Sequence, residues 1–216
     1  MHIETERLVI RELEMTDAAD LLKIKYDPQV MEYAPDFIKC DASEADIEDA
    51  IRDFIGRRDA GDFAREYLLA VTLREDGALI GVICISESGI LRETEMGWMF
   101  RSEYCGRGYA SEAARAASDA VLRTYGMPYL IVTMDVDNPA SFRTAQKSGF
   151  RLFEKRVPYD YHYSRVDVEK PDEVDAYFAK NQAEVGPNYY YFRKYHPDDQ
   201  GAAKFYGDTV YDGRFS

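Results

Sequence analysis

The chain has 216 residues, 46% of them hydrophobic, and carries a formal net charge of -13 at pH 7. That balance argues against a nucleic-acid-binding surface, since phosphate backbones are held by clustered Lys and Arg, and suits solubility or cationic partners instead. No apolar run approaches the ~20 residues a membrane span needs, and the opening MHIETERLVI lacks the basic start and apolar stretch of a signal peptide, so a cytoplasmic protein without a membrane partner is expected.

Cys40, Cys84 and Cys105 form no CxxC pair, and His2, His162 and His196 are scattered, so neither a disulfide framework nor a metal site is expected. Length and apolar content fit one substantial core. Ile3 to Leu13 reads as a first strand, followed by a short amphipathic helix with Thr16 as its N-cap and Ala18, Leu21, Leu22 and Ile24 on its apolar face. Ala45, Ile47, Ile51, Phe54 and Ile55 keep helical spacing in a segment that starts at about Ser43 and stops before Gly61. Three strands follow at Glu66 to Leu73, Leu79 to Ile85 and Glu95 to Phe100. Glu75-Asp76-Gly77 makes the first two a hairpin. LIGVICI is almost continuously apolar, as in a strand covered on both faces.

A helix with a small-residue stripe of Ala110, Ala113, Ala114, Ala117 and Val121 runs from about Ala110 to Tyr125. Tyr129 to Asp135 is a buried strand, Pro139 to Ser148 a helix stopped by Gly149, and Phe150 starts another strand. Residues 158–188 read as an insertion, YYYFRKY from Tyr189 to Tyr195 closes the sheet, and residues 196–216 form a tail whose aromatic content suits packing on the domain or on a partner subunit. The expected organisation is one domain over residues 1–195 with that insertion, plus the tail, as a monomer or homodimer.

The stretch EYCGRGYASEAARAA, 103–117, places Gly106 and Gly108 between a strand and a helix, where free backbone N–H groups and the helix dipole can hold an anion. A P-loop would close with Gly-Lys-Ser/Thr, whereas this loop closes with Gly108-Tyr109-Ala110. A dinucleotide fingerprint would need glycine where Ser111 stands and would normally open a βαβ unit, although Asp135 ends the next strand where a ribose-binding acid would sit. A turn that binds nothing is the remaining alternative.

A second segment, NPASFRTAQKSGF at 138–150, joins that loop, and the pair resembles the GNAT superfamily of acyl-CoA-dependent N-acyltransferases, within it the branch of ribosomal-protein N-terminal acetyltransferases. The resemblance also takes in the ERLVIREL opening and the strand EMGWMF, and covers residues 3 to 157. It implies an α/β (α+β) GNAT fold: a mixed, mostly antiparallel twisted sheet of six to seven strands flanked by helices, splayed between strands four and five. It implies acetyl-CoA as co-substrate and no metal. Cys105, Gly106, Arg107, Gly108, Tyr109 and Ala110 match the loop that wraps the pyrophosphate, with Arg101 and Arg107 adding charge-assisted bonds. Cys105 stands where many members carry Gln or Arg, and is read as a spectator thiol.

Trp98, Met99 and Phe100 match the strand whose backbone meets the pantetheine arm and supplies an oxyanion-holding N–H. Asn138 is a helix N-cap whatever else it does, with Pro139 at the first helical position. The resemblance adds that Asn138 reaches the pantetheine, with Phe142 beside it, and that Ser141 lies near the thioester sulfur as donor to the departing thiolate. Glu95 is the first candidate for the base, with Glu93 and Glu87 in reserve; an exposed strand-end carboxylate is its bland alternative. The implied reaction is direct acetyl transfer to a primary amine, including a protein N-terminal amine. A polyamine or aminoglycoside acceptor, or an inactive CoA-binding regulatory module, are the alternatives.

Overall fold

Short apolar runs alternate with amphipathic helical segments through most of the chain, and the computed structural model, which describes residues 1–35, 37–60, 67–88, 93–156 and 189–198, builds them into one mixed sheet with helices on both faces. In chain order the elements are β1 (His2–Glu4), β2 (Leu8–Glu12), α1 (Ala18–Lys25), α2 (Pro28–Tyr33), α3 (Glu44–Ala60), β3 (Tyr67–Leu73), β4 (Leu79–Ser88), β5 (Glu93–Phe100), α4 (Tyr109–Tyr125), β6 (Tyr129–Asp135), α5 (Pro139–Lys147), β7 (Arg151–Arg156) and β8 (Tyr189–Tyr195). The eight strands of the described residues lie in the order β1-β2-β3-β4-β5-β6-β8-β7. Neighbours are antiparallel except β5 and β6, which run parallel.

The count exceeds the expected six to seven because the opening run is a hairpin rather than one strand. Thr5 N–H donates to the Leu8 carbonyl at 2.9 Å and its Oγ1 accepts from Leu8 N–H at 3.0 Å, folding the chain back at Glu6 and Arg7. Thr16 is not a cap either. The residue before α1 is Asp17, buried, whose carboxylate accepts from Arg11 Nη1 and Nη2 at 2.7 and 2.8 Å. Tyr189–Tyr195 does not close the sheet at an edge but lies inside it, between β6 and β7. The expected insertion and the tail beyond residue 198 fall outside the described residues.

Two cores sandwich the sheet, and β4 serves both. Ile80 and Ile83 join the layer under α4 and α5, while Leu79, Val82 and Cys84 join the layer under α1 and α3. Ala113, Ala114 and Ala117 are fully buried, so α4 lies close on the sheet. Each buried Leu, Ile or Val stabilises the fold by roughly 1.5–3 kcal/mol relative to exposure. Gly81 serves a close approach: a Cβ there would come within 2.5 Å of the Phe100 ring on β5.

Candidate active site

The site begins where the sheet comes apart. β5 and β6 pair at the single position Glu95↔Ile131. Arg101 N–H donates to the Ile80 carbonyl at 3.0 Å, and with the β4–β5 register this directs the backbone groups of Gly97 and Met99 to β4 and those of Met96, Trp98 and Phe100 toward β6. Beyond Glu95 the described part of β6 no longer meets them, so the polar backbone of Trp98 and Phe100 faces an opening. The Glu95 side chain holds the wedge. Its Oε1 accepts from Thr133 N–H at 3.2 Å and Thr133 Oγ1 at 2.6 Å, in the place a β5 carbonyl would otherwise take. Although the residue keeps some accessible surface, burial pushes its carboxyl pKa up, the two Thr133 bonds pull it down, and Glu93 pushes it up again; the balance is a raised pKa.

From this wedge a groove runs along the ends of the strands to the glycine loop. A cavity of about 230 Å³ is walled by Met96 to Phe100 on β5, Val132 to Asp135 on β6, Gln29, Val30 and Tyr33 on α2, and Asn138, Ser141 and Thr144 around α5. A second, of about 140 Å³, is walled by Gly106, Gly108, Tyr109, Ser111, Arg143 and Lys147. Both share Phe100, Cys105, Ala110, Ala140 and Thr144, so they adjoin as two parts of one passage. Gly106 and Gly108 have φ of +77° and +84°, a region costing an L-residue about 1–2 kcal/mol. The loop ends on the N-terminus of α4, whose free N–H groups carry the equivalent of roughly half a positive charge.

Helix α2, which the sequence pattern did not disclose, bridges the groove. Asp27 caps it by accepting from Gln29 N–H at 3.0 Å, and accepts from Ser102 N–H and Oγ at 2.7 and 2.9 Å on the β5 side. At its other end the Tyr33 hydroxyl donates to the Asp137 carbonyl at 3.1 Å, on the β6 side.

Most of the sequence-predicted residues meet in this groove: Trp98, Met99, Phe100, Cys105, Gly106, Gly108, Tyr109, Ala110, Asn138 and Ser141 all line it. Met99 is among them although its backbone groups are directed to β4. Asn138 Oδ1 accepts from Ser141 N–H at 2.9 Å, the expected cap. Arg101 pairs with Glu103 and lies 5.4 Å over Tyr104, and Arg107 lies 5.9 Å over the same ring; neither lines the passage. Among the described residues, Arg143 and Lys147, one turn apart on α5, are the basic ones that do. Phe142 packs edge-on against Tyr190 and Phe192 at 4.8 and 5.2 Å, in the core rather than the groove.

Glu95 is not the exposed strand-end carboxylate that its position suggests. Glu93 is committed, accepting from Tyr129 at 2.8 Å, from Arg193 at 2.9 Å and from the Tyr191 hydroxyl. The Glu87 side chain lies outside what is described. The Cys105 thiol donates to Gln29 Oε1 at 3.2 Å, and burial together with Asp27 raises its pKa, which keeps it protonated and fits a spectator. Among the described residues no group of three or more metal-ligating side chains converges, and no helix is long and apolar enough to cross a membrane.

Residues 7–151 match the family model of the acetyltransferase (GNAT) domain. The chain is 32% identical over 178 residues to a Bacillus subtilis protein named as the uncharacterized N-acetyltransferase YnaD, covering 78% of this chain and 99% of that one. Among solved structures, a GNAT-family acetyltransferase from Bacillus anthracis superposes with a TM-score of 0.62 at 24% identity, over 90% of this chain and 98% of the other. The ribosomal L7/L12 alpha-N-protein acetyltransferase RimL, in complex with coenzyme A, superposes with a TM-score of 0.65 at 14% identity, over 91% and 98%. At these identities the two structures show a shared fold.

Proposed function

Because the chain belongs to the GNAT acetyltransferase family and is an N-acetyltransferase acting on an amine, we propose that it transfers the acetyl group of acetyl-CoA directly to a protein N-terminal α-amine. One observation supports the cofactor side of this reading: two adjoining cavities join the glycine loop before α4 to the backbone of Trp98 and Phe100, which the described part of β6 leaves unpaired. The pyrophosphate is held by N–H groups of Gly106 to Ala110, with Arg143 and Lys147 supplying charge. The pantetheine arm lies along Trp98 and Phe100, and Asn138 and Ser141 flank it.

In the reaction the neutral amine attacks the thioester carbonyl, a backbone N–H of β5 supports the oxyanion, and the C–S bond breaks as the C–N bond forms. Ser141 donates a proton to the leaving sulfur and regains one from solvent, to which Glu95 releases its own between turnovers. Glu95, reached from the groove through the Thr133 hydroxyl, takes the proton the amine loses; a carboxyl with a raised pKa is closer to the operating pH and better suited to that task. An α-amine, about 14% neutral at pH 7 against about 0.04% for a lysine, demands far less of such a base.

The test is acetyl-CoA turnover with three acceptors: a peptide with a free N-terminus, the same peptide N-blocked but carrying a lysine, and a polyamine. Thiol release and acetyl incorporation should appear with the first alone. Turnover confined to the polyamine would replace the acceptor assigned here, and tight CoA binding without turnover of any amine would make the protein a binding module.

A further inference from the structure

We propose that Arg7 is a positioning residue for the glycine loop, setting from behind the direction of the N–H group that the loop offers to an anion. The inference rests on the reading that the loop holds the pyrophosphate of acetyl-CoA. Arg7 stands at the turn between β1 and β2, far from the loop in sequence. Its Nη1 donates to the Arg107 carbonyl at 2.9 Å, its Nε to Glu112 Oε2 at 2.7 Å and its backbone N–H to Glu112 Oε1 at 3.0 Å. The guanidinium lies 4.5 Å over the Tyr109 ring. One side chain thus holds the loop, the first residue of α4 and that helix's first turn.

The consequence follows from the planarity of the peptide unit. The described chain has no cis peptide, so the carbonyl of Arg107 and the N–H of Gly108 point in opposite directions. A carbonyl fixed on Arg7 therefore turns the Gly108 N–H away from Arg7, and Gly108 is among the residues that line the passage. Arg7 itself is not part of that lining, so its effect is exerted through the loop.

Arg7 has a second effect through Glu112. A carboxylate in the first turn of α4 would compete with a bound anion for the positive end of the helix. Arg7 and the Thr5 hydroxyl, the latter donating at 2.6 Å, bind it at the β1–β2 turn, and Arg7 neutralises it. Burial pushes the Glu112 carboxyl pKa up, but the bonds from Thr5 and Arg7 outweigh it and hold it below the usual value, so the charge is present and needs its partner.

The experiment compares two acetyl donors, acetyl-CoA and S-acetylpantetheine, which carries the same thioester without the pyrophosphate. In Arg7→Gln the KM for acetyl-CoA should rise about tenfold, the loss expected for one charge-assisted contact, with kcat at saturation unchanged. The kcat/KM for S-acetylpantetheine should stay as in the wild type, a separation that general loosening of the fold would not give. Arg7→Lys, which keeps the charge but not the forked geometry, should fall between and serves if the Gln variant does not fold. An equal loss with both donors, or no loss with either, overturns the assignment of Arg7. A wild-type enzyme that does not prefer acetyl-CoA over S-acetylpantetheine overturns the reading of the loop itself, and this inference with it.

Discussion

Glu95→Gln separates chemistry from architecture at the centre of the site. The side-chain amide keeps an oxygen that can still accept from Thr133 N–H and Oγ1, so the wedge between β5 and β6 stays filled. What is lost is the ability to take a proton. If Glu95 is the base, kcat/KM at neutral pH falls by about 10²–10⁴, roughly 2.7–5.5 kcal/mol of barrier. Stability moves the other way. The folded pKa of Glu95 is raised by burial, so below its unfolded value of 4.5 both states are protonated and nothing is contributed. As the pH rises above 4.5 the unfolded chain ionises first, and the folded state loses about 1.4 kcal/mol of stability for each further pH unit until its own pKa is passed. The Gln variant escapes that loss.

The assay is chemical denaturation of both proteins at pH 4 and pH 7, beside a pH–rate profile. The variant's stability relative to wild type should increase from pH 4 to pH 7 while its activity collapses and the acidic limb of the profile disappears. Unchanged activity with an intact acidic limb would remove Glu95 as base and leave it as the wedge alone. A stability deficit growing toward pH 7 would refute the upward direction of the Glu95 pKa.

Gly108→Ala forces a Cβ onto a backbone with φ of +84° and brings it to 3.4 Å from Arg7 Nη2; a stability loss of about 1–2 kcal/mol and a raised KM for acetyl-CoA are expected, measured by denaturation and initial rates. Gly81→Ala drives its Cβ into the Phe100 ring and to 2.7 Å from the Met99 carbonyl, so overpacking should cost about 1–3 kcal/mol and lower kcat/KM by displacing β5; an unchanged melting curve would contradict it. Trp98 is the chain's single tryptophan and lines the groove, so acetyl-CoA should change its emission saturably; a flat titration with a protein that turns over would place the donor elsewhere.

What the sequence disclosed was local. Gly106 and Gly108 announce their backbone conformation through residue type, Asn138-Pro139 announces a helix start, and LIGVICI announces a strand with two buried faces. The hidden parts depend on neighbours distant along the chain. Glu95 looks like a strand-end carboxylate until Thr133, 38 residues on, is seen to bind it. Arg101 and Arg107 sit beside the loop in sequence yet turn to Tyr104, whereas Arg143 and Lys147 reach the passage because α5 packs beside α4. Phe142 follows Ser141 in the motif but points into the core, because adjacent residues on a helix face different ways. Helix α2, six residues long, is too short to show a period, and its place over the groove comes from Asp27 and Tyr33.

A crystal structure with coenzyme A bound would probe the cofactor passage without an intervening assay. The pyrophosphate should lie against the backbone of residues 106–110 with Arg143 and Lys147 beside it, and the pantetheine should bond to the backbone of Trp98 and Phe100 with its thiol toward Ser141. Coenzyme A bound outside this passage, or a β5 edge left unpaired with the ligand in place, would contradict the assignment.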